Sequence, residues 1–128
     1  MMMQDDPLKD MIRIHNEYRQ SVGLNTLDIN LILMQQATLH CQWMSKSNTL
    51  SHGSWFRGNT LPSRIKKSGY KYSRIAENIA QGYAIVYDQT FKNWLKSPGH
   101  YNNIIGDYTE FGVGRSGGYW CVIFGKPQ

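Results

Sequence analysis

Trp94-Leu95-Lys96-Ser97-Pro98-Gly99-His100-Tyr101-Asn102-Asn103-Ile104 is the stretch on which the reading of this chain turns. Trp94 closes an amphipathic segment in which Tyr87, Phe91 and Trp94 fall along one face. Pro98 and Gly99 then interrupt the pattern, because proline cannot continue a helix and glycine tolerates positive φ. The expectation is a forced bend that turns His100 toward a cleft. Two upstream residues have comparable settings. His52 stands in Leu50-Ser51-His52-Gly53-Ser54, and Glu77 is a lone acid in Ile75-Ala76-Glu77-Asn78-Ile79-Ala80. Their separations, 25 and 23 residues, carry no metal signature of their own, unlike two histidines on adjacent turns of one helix.

Working outward, Asp6-Pro7 predicts an N-cap and first helical residue, with a helix to about Val22 closed by Gly23. Asp28 or Asn30 caps a second helix to about Lys46, with Met34, Ala37, Cys41 and Met44 inward. Residues 47–58 read as a loop carrying His52, and Thr60 to Ser68 as a third helix stopped by Gly69. Arg74 to Ala80 predicts a strand and Ala84 to Leu95 a fourth helix. Tyr108 to Arg115 and Tyr119 to Lys126 predict a hairpin around Ser116-Gly117-Gly118. Helices followed by a small antiparallel sheet with one helix between strands argue for an α+β layered domain.

At 128 residues the chain is read as one domain over 1–128, with residues 1–6 expected to be a disordered tail. Met1-Met2-Met3-Gln4-Asp5-Asp6 has neither the basic region nor the apolar core of a signal peptide. The longest apolar runs are too short to span a membrane. A net charge of +5 favours anionic partners, whether walls, membranes or nucleic acids. The basic residues are dispersed, with clusters at Arg64, Lys66, Lys67 and at Lys71, Arg74 that read as solvated faces. No specific nucleic-acid motif is present. Two cysteines are too few for a disulfide framework, so Cys41 and Cys121 are either a helix-to-sheet bridge or buried free thiols. Neither lies in a nucleophile motif, and Ser51 and Ser54 beside His52 do not make a triad.

The segments around His52, Glu77 and His100 resemble, in this order, the CAP superfamily, also called the SCP-like or pathogenesis-related-1-like domain. His15-Asn16-Glu17-Tyr18-Arg19, Phe111-Gly112-Val113-Gly114 and Tyr119-Trp120-Cys121-Val122-Ile123-Phe124-Gly125 continue the resemblance from about Leu8 to Gly125. Ser97-Pro98-Gly99-His100 is similar to the compact bacterial branch. The resemblance implies a three-layer α-β-α sandwich with a small central antiparallel sheet. It also implies an extracellular or cell-envelope location, and a central cleft lined by His52, Glu77 and His100. Two imidazoles and a carboxylate suit a divalent cation, zinc before magnesium or calcium, with water in an open position. The expected function is binding of a cation or small ligand in an extracellular or host interaction, by a monomer. The alternative is a metal-assisted, peptidase-like hydrolase in which Glu77 works on water and His52 and His100 assist.

Ser97 stands where many family members carry a second glutamate. Glu110 is a remote substitute, since strand alternation turns it toward solvent. His15 and His40 read as packing histidines and Asn78 as a strand-end fixer. Trp55 and Phe56, like Tyr83 and Tyr101, read first as core or cleft wall. The grip of an apolar or sugar ligand is the second reading for Trp55 and Phe56.

Overall fold

The computed structural model describes residues 6–82 and 86–128. Five helices and four strands follow one another as α1 (Pro7–Ser21), β1 (Asp28–Ile29), α2 (Leu31–Ser47), α3 (Leu61–Ser68), β2 (Tyr72–Gln81), α4 (Tyr87–Leu95), α5 (Pro98–Ile104), β3 (Glu110–Ser116) and β4 (Tyr119–Pro127). Local chemistry sets the helix ends. Asp6 caps α1 by accepting from the amides of Leu8 and Lys9, Asn30 caps α2 through Leu33, and Thr60 caps α3 through Ser63.

The strands form one sheet in the order β1-β3-β4-β2. β4 lies in the middle, antiparallel to both β2 and β3, and the short β1 adds a parallel edge to β3. Side-chain alternation along β4 builds two cores. Tyr119, Cys121 and Ile123 pack with Leu33, Ala37, Cys41 and Met44 of α2 and Ile65 of α3. Trp120, Val122 and Phe124 pack on the other side with Met11 of α1, Phe91 and Trp94 of α4 and Ile104 of α5. The outcome is the α-β-α sandwich expected from the sequence. Gly112 and Gly114 explain their motif: a Cβ on either would collide with the backbone of α2 at Leu33–Met34 or Ala37–Thr38. Their absence of side chains lets α2 lie directly on β3.

Four expectations need correction. Pro98-Gly99 is not a bend that leaves His100 on a turn. The break is confined to Lys96 and Ser97, and Pro98 starts α5 as its first residue, the position where a fixed φ favours a helix. β1 had no counterpart in the sequence reading. Trp55 and Phe56 are 81% and 92% exposed, so they are neither core nor cleft wall. Glu110 is half-buried rather than turned to solvent, and accepts from Tyr70 Oη at 2.7 Å. Residues 1–5 of the expected tail, the expected helix start at Ala84, and Tyr83 lie outside the described residues, while Asp6 is the cap of α1.

Candidate functional site

Glu77 sits on β2, on the face covered by α2 and α3, and is 5% exposed. A carboxylate there must be paired. Arg64 of α3 supplies a bidentate fork, Nη1 donating to Oε2 at 2.8 Å and Nη2 to Oε1 at 2.9 Å. His52 Nδ1 donates to Oε1 at 2.8 Å, and Cys121 Sγ–H to Oε2 at 3.3 Å. Burial pushes the Glu77 carboxyl up, but the hydrogen bonds from His52 and Arg64 and the Arg64 charge outweigh it and hold it at about 2. Glu77 is therefore an anion throughout the neutral range.

Arg64 does more than neutralise. Its Nε donates to the Asn59 carbonyl at 2.9 Å and its Nη2 to the His52 carbonyl at 3.0 Å. One side chain thus ties the 52–59 loop to both α3 and β2. Gly53, at φ +94°, lets the loop close against Asn59, where a Cβ would strike the Asn59 carbonyl. Because carboxylate oxygens only accept, His52 carries its proton on Nδ1, and its Nε2 lone pair is free of that bond. The His52 side chain is 55% exposed, so this face of the imidazole is open to solvent.

His100 belongs to the first turn of α5, on the other layer. Its Nδ1 lies 2.9 Å from Ser97 Oγ, and its ring stacks on Trp94 with centroids 6.1 Å apart. Burial lowers its pKa, and the charge on His52 lowers it further. Asn78 Nδ2 donates to the His100 carbonyl at 3.1 Å and Asn103 Nδ2 to Asn78 Oδ1 at 2.8 Å, which docks α5 on the strand. Beside His100, a cleft of about 270 Å³ runs past Ile79, Gln81, Thr90, Trp94 and Ser97. Thr90 Oγ1 is buried there without a partner among the described residues.

The remaining candidates divide clearly. His40 is buried; its Nε2 donates to the Ser51 carbonyl at 2.7 Å, and burial lowers its pKa. It supports the loop from behind. His15 is buried among aromatic rings and its Nδ1 donates to the Met11 carbonyl at 2.7 Å. Glu110 bonds Tyr70 and Asn30 instead of joining Glu77. Cys41 and Cys121 are free thiols, both buried.

Sequence reasoning missed Arg64, which it grouped with Lys66 and Lys67 as a solvated cluster. The signal was helical spacing: Leu61, Arg64, Ile65 and Ser68 form the inward stripe of α3, and Lys66 and Lys67 fall outside it.

Among the described residues, no three His, Cys, Asp or Glu side chains form a group that could hold a metal ion. The chemistry of Glu77 gives the reason. Both its oxygens are taken by a guanidinium fork, and a cation on them would face the Arg64 charge. Glu77 fits as the outer partner that orients a histidine, with the Nε2 atom of His52 left as a donor.

The Cysteine-rich secretory protein family (CAP) matches residues 12–124. The uncharacterized protein YkwD of Bacillus subtilis (strain 168) is 33% identical over 119 residues, which is 91% of this chain and 46% of YkwD. The chain thus spans less than half the length of that curated relative. An outer surface protein from Borrelia burgdorferi superposes with a TM-score of 0.86 at 25% identity, covering all of both chains. An extracellular protein containing an SCP domain from Bacillus anthracis str. Ames superposes with a TM-score of 0.87 at 24% identity, over 94% of this chain and 40% of that one. Motif order, layer architecture and these matches agree, and the chain belongs to the CAP family of cysteine-rich secretory proteins, in a bacterial form.

Proposed function

We propose that this chain is an extracellular or cell-envelope binding module, in which His52 and His100, the latter lining the cleft beside Trp94, receive a divalent cation or a small polar ligand. The observation that carries this reading is the commitment of Glu77. Its oxygens are filled by Arg64 and His52, so it sets the tautomer of His52 and leaves the His52 Nε2 lone pair as a donor, with the His100 imidazole as the second nitrogen ligand of the proposal. Zinc suits imidazole donors better than magnesium or calcium does. The lowered pKa of His100 keeps that imidazole neutral, the form that donates to a metal. The location rests on the relatives: one is described as extracellular and another as an outer surface protein. Among the described residues no helix is long and apolar enough to cross a membrane.

The hydrolytic alternative asks Glu77 to accept a proton near neutral pH. A carboxylate held at about 2 is a weak base for that work. Calorimetric titration with zinc chloride tests the binding reading. The expected result is uptake of about one equivalent that His52→Ala/His100→Ala abolishes and that weakens below about pH 6. Equal uptake by the double variant would overturn it. Turnover of a peptide and ester library that Glu77→Gln reduces by about a hundredfold, with circular dichroism showing the variant still folded, would establish the hydrolase instead.

A further inference from the structure

The 52–59 loop carries the least expected surface of the molecule. Trp55 and Phe56 sit side by side, 81% and 92% exposed, with their rings T-shaped at 5.5 Å. Together they offer roughly 300–400 Å² of aromatic surface to solvent, on the scale of the largest apolar patch of a typical monomer.

The tip is also prebuilt. The Gly58 amide donates to the Trp55 carbonyl at 3.1 Å and closes a turn with Phe56 and Arg57 at its centre. Below it, the Ser54 amide donates to Asn59 Oδ1 at 2.9 Å, and the Arg57 amide to Ser54 Oγ at 3.2 Å. Arg64 holds Asn59 from α3. A turn fixed this firmly, with both aromatics outward, presents them without the ordering cost a floppy loop would incur on binding.

Cations surround the tip. The Arg57 guanidinium lies over the Trp43 ring at 5.4 Å, and Lys67 Nζ donates to the Gly58 carbonyl at 3.2 Å. Lys66 is exposed on the same helix. The charge along the chain is lopsided in the same direction. From Ile29 to Tyr87 there are seven Lys and Arg against one acid, and that acid is the buried, paired Glu77. The rest of the chain carries seven against eight, so the net charge of the protein belongs to the α2–loop–α3–β2 segment.

We propose that the Trp55–Phe56 turn is a membrane-docking tip that inserts its two rings at the headgroup boundary of an anionic phospholipid bilayer, with Arg57 and Lys67 meeting lipid phosphates. Aromatic side chains favour that boundary, and flanking cations add attraction to anionic lipid. A glycan partner fits less well. Sugar rings want a flat, open aromatic face, but the Trp55 and Phe56 planes stand 77° apart. Trp43 is half-buried, with His40 stacked on it at 5.3 Å and Arg57 over its ring. A convex apolar point ringed by positive charge matches a surface that yields to it.

Co-sedimentation of the full chain with phosphatidylcholine vesicles, with and without about one-third phosphatidylglycerol, tests the proposal. The protein is expected to sediment with the anionic vesicles and much less with neutral ones. Raising salt from about 0.1 M to about 0.5 M weakens the attraction. Trp55→Ser/Phe56→Ser should lower the apparent affinity at least about tenfold, with an unchanged thermal melt because both side chains are exposed. The tryptophan emission of wild type should shift to the blue on vesicles. Trp55→Phe should bind with most of that shift lost, since Trp94 and Trp120 are buried and Trp43 is half-buried between His40 and Arg57. Absence of vesicle binding overturns the proposal, as does equal binding by wild type and the double variant, which would be attraction by charge alone. Retention on an insoluble cell-wall glycan instead of on vesicles overturns it too, and so does a double variant that melts at a clearly lower temperature, because the two rings would then belong to the fold.

Discussion

His52 and Arg64 hold Glu77 as an anion against burial, which pushes its carboxyl up, and Arg64 is the charge that pairs it. Such a pair adds little net stability but is costly to halve, because the survivor is a stranded charge. Arg64→Met is therefore expected to destabilise by about 3–5 kcal/mol, while Arg64→Met/Glu77→Gln costs less than the two single changes added together. Urea melts of the three variants decide this; additive losses would mean the two side chains are not coupled. Titration has a definite sign. The Glu77 carboxyl sits at about 2 in the fold against 4.5 ordinarily. The unfolded chain thus binds the extra proton in that interval, and stability, full above about 4.5, falls as pH drops toward 2. His15 acts in the window just above. Burial lowers it from 6.5 to about 4, so the fold holds it neutral and loses stability as pH falls from 6.5 toward 4. His15→Gln should cost about 1–3 kcal/mol at neutral pH, through its bond to Met11 and its aromatic packing. It should also flatten the dependence between pH 6.5 and 4. A variant whose stability falls as steeply as wild type there would show that His15 is not the group responsible.

At the scale of elements, α4 and α5 are held to the sheet by side chains that also guard its edge. β2 is an edge strand, and edge carbonyls invite unwanted pairing. Trp94 Nε1 donates to the Ile79 carbonyl at 3.2 Å and Asn103 Nδ2 to the Glu77 carbonyl at 3.4 Å. Trp94→Ala should accordingly cost about 3–5 kcal/mol, the range for a buried aromatic, and should shift the His100 imidazole resonances because that ring stacks on it. A loss under about 1 kcal/mol would contradict its burial. The helices were legible wherever a cap and a periodic stripe coincide, as at Asp6 and Asn30. Two elements were not. β1 is two residues long and exists because β3 pairs with it, so no local signal announces it. α5 is seven residues long, and Pro98 at its head was read as a terminator, although the same fixed φ starts a helix as readily as it ends one.

Across the whole molecule, one sheet divides two cores of different character. The layer of α1, α4 and α5 is aromatic-rich, whereas the layer of α2 and α3 buries the Glu77 network and both thiols. Motif order carried the architecture, because each motif marks a place where chain meets chain: glycines under α2, a histidine at the head of α5, an acid on β2. The division of labour around Glu77 was not legible, since it depends on Arg64 reaching across from another element. The exposure of Trp55 and Phe56 was equally hidden, because an aromatic pair reads as core until the turn beneath it is seen. The thiols have a further consequence. Cys41 and Cys121 are fully buried, and burial next to Cys41 and Glu77 raises the Cys121 thiol well above its ordinary pKa. A thiolate reagent can reach them only through a chain that has let go of its sheet. Their modification by a disulfide dye should follow the population of the globally open chain, slowing as the fold is stabilised and quickening about tenfold for each 1.4 kcal/mol lost. Labelling faster than the open population measured by urea melts allows would reveal a local breach at α2 instead. The chain thus carries, sealed in its own interior, a clock that starts only when the molecule comes apart.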